Sequence, residues 1–168
     1  MAEALYATAR DWAQEAQPAR VWDLFCGVGG FALALAAPGR RVLGVEVSAS
    51  AIDGARAAAD LMGLDPALVR FEAGDARVLD PASPEGRASG AQRPDLLVVN
   101  PPRRGIGEQL ATRIEASGVE RVLYSSCNPR TLAADLAHLP SMRVVRSRLF
   151  DMFPHTDHAE VLVELVRD

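Results

Sequence analysis

The chain has 168 residues, 49% of them hydrophobic and 24% charged, which fits one globular domain able to bury its core without staples. A formal charge of −4 and a pI near 5.4 exclude a protein that holds nucleic acid chiefly through its overall field, so RNA or DNA must be gripped by a local patch or by another domain. Cys26 and Cys127, far apart in sequence, exclude a disulfide framework and a four-thiolate metal or iron–sulfur site, and a reducing, cytoplasmic setting fits them.

From the N-terminus, Ala2 to Gln14 reads as a helix with Leu5, Trp12 and several alanines on one side. It lacks the basic-then-apolar layout of a signal peptide, and no apolar run near eighteen residues occurs, so neither export nor a membrane partner is expected. "VWDLF" is the first strand-like run. Gly27, Gly29 and Gly30 follow it and let the backbone turn tightly and approach a ligand before the next helix. Many nucleotide binders share such a turn. Three features favour S-adenosylmethionine over NAD: Asp23 precedes the glycines, the spacing is not G-x-G-x-x-G, and Glu46 closes the second strand, "RVLGVEV". A carboxylate there can accept both hydroxyls of an adenosine ribose, the plainer alternative being a solvated strand end. No Walker A lysine is present, which removes phosphoryl transfer.

"SASAIDGARAAADLMGL" is the clearest helix, capped by Ser48 or Ser50 and ended by Gly63. After the strand "VRFEAG", Asp75 is either a contact for the adenine amino group or an ordinary solvated carboxylate. "DPASPEGRASGAQRPD" reads as a loop. The fourth strand, "DLLVVN", runs into Asn100-Pro101-Pro102, where two prolines stiffen a backbone edge beside the transferred group. Amino-methyltransferases with an N-P-P motif continue with Tyr or Phe, whereas Arg103 stands here, which speaks against that alternative.

"RVLYSS" is the fifth strand, and Asn128-Pro129 is a turn signal that stops it. Cys127 therefore sits at a strand's carboxyl end, where open parallel sheets place reacting groups; taken alone, it is equally a small buried hydrophobe. "MRVVRSRLF" and "AEVLVELVR" are too close for a crossover helix and should form an antiparallel hairpin. Between and beside them stand His155, Asp157, His158 and Glu160, each a candidate base; their tight spacing, without an H-E-x-x-H helix, makes metal ligation the minor alternative, and no metal is expected. Strands alternating with helices predict an α/β doubly wound sheet, residues 1–168 forming one domain; a mostly parallel seven-stranded sheet that ends in an antiparallel hairpin resembles the Rossmann-like class I S-adenosylmethionine-dependent methyltransferase fold.

A carbon target explains the thiol. C5 of uracil is a poor nucleophile, but a thiolate adding to C6 makes an enolate that can take a methyl group; a base then removes the C5 proton and the thiol is eliminated. "NPPRRG" with "VLYSSCNPRT", and "MFPHTDHAEVL" near the end, resemble the paired signatures of the RNA uracil-C5-methyltransferase family, closest to its branch acting on uridine 747 of bacterial 23S ribosomal RNA. The resemblance covers nearly the whole chain from about Ala4. It implies Cys127 as nucleophile, Glu160 as base, and Phe25, Glu46 and Asn100 as cofactor-binding positions, although most of the family has aspartate where Asn100 stands. Gly27, Gly29 and Asp75 complete the expected cofactor set. Family members carry an N-terminal RNA-binding region, often with an iron–sulfur cluster, and a Gln-bearing segment just ahead of "LYATARDW"; only Met and three residues precede Leu5 here. The expectation is a catalytic domain whose RNA grip belongs to that missing region. A truncated cofactor-binding module with little turnover is the non-enzymatic alternative.

Overall fold

The computed structural model describes residues 2–78, 93–151 and 159–168. The expected loop over residues 80–95 lies mostly outside them, as do His155, Asp157 and His158. Helix α1 (Ala2–Ala16) buries Leu5, Thr8, Ala9 and Ala13, a spacing of one helical face. Strands β1 (Arg20–Leu24), β2 (Arg41–Glu46), β3 (Val69–Ala73), β4 (Leu96–Val99), β5 (Arg121–Ser126), β6 (Met142–Phe150) and β7 (Glu160–Arg167) form one sheet in the order β3-β2-β1-β4-β5-β7-β6. The β4 residues are buried throughout, as a central parallel strand covered on both faces requires.

Helix α2 (Gly30–Ala34) follows β1, and α3 (Ala49–Leu61) follows β2. Ser48 caps α3, its hydroxyl accepting from the Ala51 N–H. With α1 they cover one sheet face, where Phe31, Ile52, Ala55, Val21, Val98, Leu123 and Leu162 pack together. Helices α4 (Gly107–Ser117) and α5 (Pro129–Leu136) cover the other, where Leu110, Ile114 and Leu132 meet Trp22, Leu97 and Tyr124. The result is three layers, helix on sheet on helix.

Two local expectations change. Phe25 is not a strand residue: it leaves β1 with φ 62, a left-handed conformation that is strained for an aromatic side chain. Asn128-Pro129 does more than end β5. The Asn128 side chain accepts from the Arg130 N–H and caps α5, with Pro129 in the first turn, where its fixed φ suits a helix start.

The hairpin is antiparallel, and β7 lies between β5 and β6, antiparallel to both. Buried Glu164 of β7 pairs with Arg121 of β5 and Arg146 of β6, so the carboxylate ties three strands together. Among the described residues no helix is long and apolar enough to cross a membrane.

Candidate active site

The parallel strands end on one edge, and a cleft of about 290 Å³ opens there, lined by Phe25, Glu46, Val47, Asp75, Asn100 and Pro101 among others. A cavity of about 370 Å³ lies at the opposite edge, beside the first residues of β4 and β5. Ligands of open α/β sheets bind at the carboxyl ends of the strands, so chemistry points to the first of the two.

The glycine turn shapes that cleft indirectly. Gly27 has φ 54, and its N–H donates to Glu46 Oε2 at 3.2 Å; the Ser48 N–H donates to Oε1 at 3.0 Å. Two backbone donors thus orient the carboxylate, and each oxygen keeps acceptor capacity. Gly29, with φ 86, precedes α2, and a Cβ there would come within 3.0 Å of the Phe71 ring. Gly27 and Gly29 do not line the cleft; they position what does. Asp75 lines it but is engaged: Arg77 Nε and Nη2 reach its two oxygens at 2.9 and 2.7 Å. Arg77 holds that carboxyl below its usual range. Asn100 is exposed at the end of β4, with its N–H donating to the Leu24 carbonyl at 3.3 Å.

The two loops bearing the paired motifs are fastened to each other. The Arg103 carbonyl accepts from Asn128 Nδ2 at 3.0 Å and from the Thr131 hydroxyl at 3.1 Å. Behind them, buried Asp135 accepts from the Tyr124 hydroxyl at 2.6 Å and from the Ile106 and Gly107 N–H groups at 2.9 and 3.0 Å. Gly105 makes room for this hub: its φ is 79, and a Cβ would lie 2.3 Å from Asp135 Oδ2. Gly105→Ala is therefore expected to cost about 2 kcal/mol or more in urea unfolding, from left-handed strain plus the collision.

Cys127 is half-buried just past the end of β5, and Glu160 is half-buried at the start of β7. The β5–β7 register runs from Arg121↔Val166 to Ser126↔Val161; Cys127 follows Ser126 at the bend after β5 and Glu160 precedes Val161, so both stand at the same end of the strand pair. Alternation puts Leu123 and Ser125 on the same side of the sheet as Glu160, Leu162 and Glu164. The Ser125 hydroxyl donates to Glu160 Oε1. Burial pushes the Glu160 carboxyl up, and the serine bond partly opposes it.

Under the glycine turn, Asp23 is fully buried, with Oδ2 accepting from the Ala32 N–H at 2.8 Å while Oδ1 has no partner. Burial pushes its carboxyl up to about 7. Tyr6 of α1 crosses above Gly30, where a Cβ would lie 2.3 Å from its hydroxyl. Burial, then Asp23 and Glu160, raise its phenol. Cys26 is buried against Phe71 and Gly44, and burial pushes its thiol well up. Among the described residues no group of His, Cys, Asp or Glu could hold a metal ion.

Ser125, Tyr6 and the Asn128–Thr131 clamp escape a reading of the sequence. Only Ser125 leaves a trace in it, standing two residues before the cysteine.

A glycine turn after β1, an acidic end to β2 and a single antiparallel strand inserted beside β6 define a class I methyltransferase fold. Magnesium protoporphyrin IX methyltransferase from Synechocystis shares it at 13% identity, with a TM-score of 0.74 over 98% of this chain and 82% of that one. Residues 2–168 match the family model described as tRNA (uracil-5-)-methyltransferase, and the chain belongs to that family. It is 49% identical over 167 residues to the 23S rRNA (uracil(747)-C(5))-methyltransferase RlmC of Vibrio vulnificus, and 48% identical over 168 residues to that of Shewanella baltica. These alignments cover 99% and 100% of this chain but 42% and 41% of the relatives, so the chain spans less than half their length. The tRNA (uracil-54, C5)-methyltransferase of Pyrococcus abyssi, solved with S-adenosyl-L-homocysteine, is 29% identical, with a TM-score of 0.77 over 95% of this chain and 38% of that one.

Proposed function

We propose that this chain is a catalytic domain for methyl transfer from S-adenosylmethionine to C5 of uracil in RNA, with 23S ribosomal RNA as the substrate its relatives suggest. The observation that carries the reading is that a thiol and a carboxylate stand at the same end of the β5–β7 pair, Cys127 just after Ser126 and Glu160 just before Val161, beside a loop clamped to the cleft. S-adenosylmethionine supplies a methyl group on a positively charged sulfur, strongly electrophilic towards carbon.

The residues fit that cofactor. Glu46 offers two oriented oxygens to a ribose diol, Phe25 and Val47 give apolar surface to an adenine, and Asn100 with Pro101 forms the wall nearest the second clamped loop. Asp75 serves the adenine amino group through acceptor capacity left over from Arg77. Gly27 and Gly29 act by shaping the turn.

Cys127 adds as thiolate to C6 of the uracil, and the C5=C6 pair moves into an enolate. C5 then uses the enolate pair to take the methyl group as its bond to the sulfonium breaks, that pair staying on sulfur in S-adenosylhomocysteine. Glu160 removes the C5 proton, the C–H pair restores C5=C6, and the C6–S pair departs with the cysteine sulfur. Burial makes Glu160 more basic than an exposed carboxylate, which suits a general base.

Tritium release from C5-labelled uridine in a 23S fragment carrying the uridine-747 region tests the reaction, run with this chain alone and joined to the N-terminal portion of a full-length relative. No release in either form would overturn the reading. Cofactor binding has its own test: Glu46→Gln should weaken S-adenosylhomocysteine binding about tenfold in calorimetry, through loss of a charged acceptor for the ribose. Equal affinity would remove Glu46 from the cofactor site.

A further inference from the structure

We propose that Ser125 is the positioning residue of the base: its buried hydroxyl donates to Glu160 Oε1 and fixes that carboxylate, charged, at the end of the strand pair where Cys127 stands. This rests on the reading of Glu160 as the base.

Three observations converge. Ser125 is fully buried, and its partner across the ladder is Leu162, two residues along the same face from Glu160. The hydroxyl therefore reaches diagonally from β5 to the start of β7. The neighbours of this position are apolar: Leu123 and Leu162 on the same face, and Phe150 opposite Glu160 across β6–β7. A carboxylate entering such surroundings loses hydration, and a hydroxyl aimed at one oxygen replaces part of it. The bond also occupies only Oε1, leaving Oε2 as the oxygen to receive the C5 proton. The serine is thus a fixed donor to one oxygen and a guide for the other.

Farther along the same face, Glu164 of β7 is paired with Arg121 of β5 and Arg146 of β6. Tyr6 approaches from α1, with Asp23 of β1 beyond it. Cys127 stands at the end of β5. From β6, Arg148 is committed to the Thr8 hydroxyl at 3.0 Å, with its guanidinium 5.3 Å from the Phe150 ring centre. Ser125 is the hydrogen-bond donor found on Glu160. Removing that donor should make the carboxylate easier to protonate, because burial then acts unopposed. Proton removal from C5 needs the charged form, so its acidic limb should move to higher pH.

The decisive measurement is carbon-13 NMR titration of the Glu160 carboxyl in the 168-residue chain, assigned by its loss in Glu160→Gln. In Ser125→Ala, which removes one oxygen from a site that needs no larger side chain, the midpoint should rise. Ser125→Thr, which keeps the hydroxyl, should restore the wild-type midpoint. An unchanged midpoint in Ser125→Ala overturns the proposal, and circular dichroism of the same sample separates that result from misfolding. A second measurement reads the reaction: breakdown of the covalent RNA adduct against pH, in the form joined to a relative's N-terminal portion. Ser125→Ala should slow breakdown about tenfold at neutral pH and shift its acidic limb upward, with adduct formation unchanged. A shifted carboxyl midpoint with an unchanged breakdown profile would overturn the role in catalysis. The reading of Glu160 as base fails separately, if Glu160→Gln turns over without accumulating adduct while the wild-type carboxyl still responds to Ser125→Ala.

Discussion

Cys127→Ala should abolish methyl transfer and every covalent complex with 5-fluorouridine RNA, while S-adenosylhomocysteine binding stays as in wild type. The expected loss is total to within detection, because among the described residues Cys127 is the thiol at the end of β5 where Glu160 also stands, and the Ser125 hydroxyl, committed to Glu160, does not replace a thiolate. Cys26, the second thiol, is packed against Phe71 beneath the glycine turn, and burial keeps it protonated. It cannot take over. Mass spectrometry of the trapped adduct after proteolysis checks the assignment. A modified Cys26 peptide, or adduct formation by Cys127→Ala, would reverse it.

Glu160→Gln should produce the opposite phenotype, an enzyme arrested after methylation rather than before it. The amide has nearly the shape of the carboxylate and can accept from Ser125, so the start of β7 should hold. What it lacks is the capacity to take a proton from C5. Addition and methyl transfer precede that need, so unmodified RNA should accumulate as a slow-migrating complex on denaturing gels, with tritium release reduced by about a thousandfold, the scale of a lost general base. Double substitution with Cys127→Ala should remove the complex. Rapid turnover by Glu160→Gln without any complex would assign the proton to another group.

Much of this protein was determined by its sequence read as a string. The seven strands, the helix over 49–61 with its Ser48 cap, and the hairpin of β6 and β7 follow from periodicity and turn residues, because these are local properties of the chain. The thiol at the end of β5 and the acid at the end of β2 are legible for the same reason: a strand's carboxyl end is where an α/β sheet exposes side chains to a ligand. Local reading falters at Phe25, where approach to the cleft imposes a left-handed backbone that propensity disfavours, and at Asn128, whose turn chemistry serves equally as a helix cap.

Tertiary structure alone decided how these pieces meet. A hairpin pattern does not say which of its strands enters the sheet; that β7 takes the place beside β5 brings Glu160 to the end of β5 that Cys127 follows, rather than to an outer edge. The choice is physical, since β7 is buried along its centre while β6 is largely exposed and carries Arg143, Arg146 and Arg148 at the sheet margin, where charge discourages further pairing. Likewise, Asp75 is a free carboxylate on paper and half of a bidentate pair in the fold, because Arg77 curls back within one turn. Ser125 is a strand residue like any other until the register of β7 brings a buried carboxylate within reach of its hydroxyl.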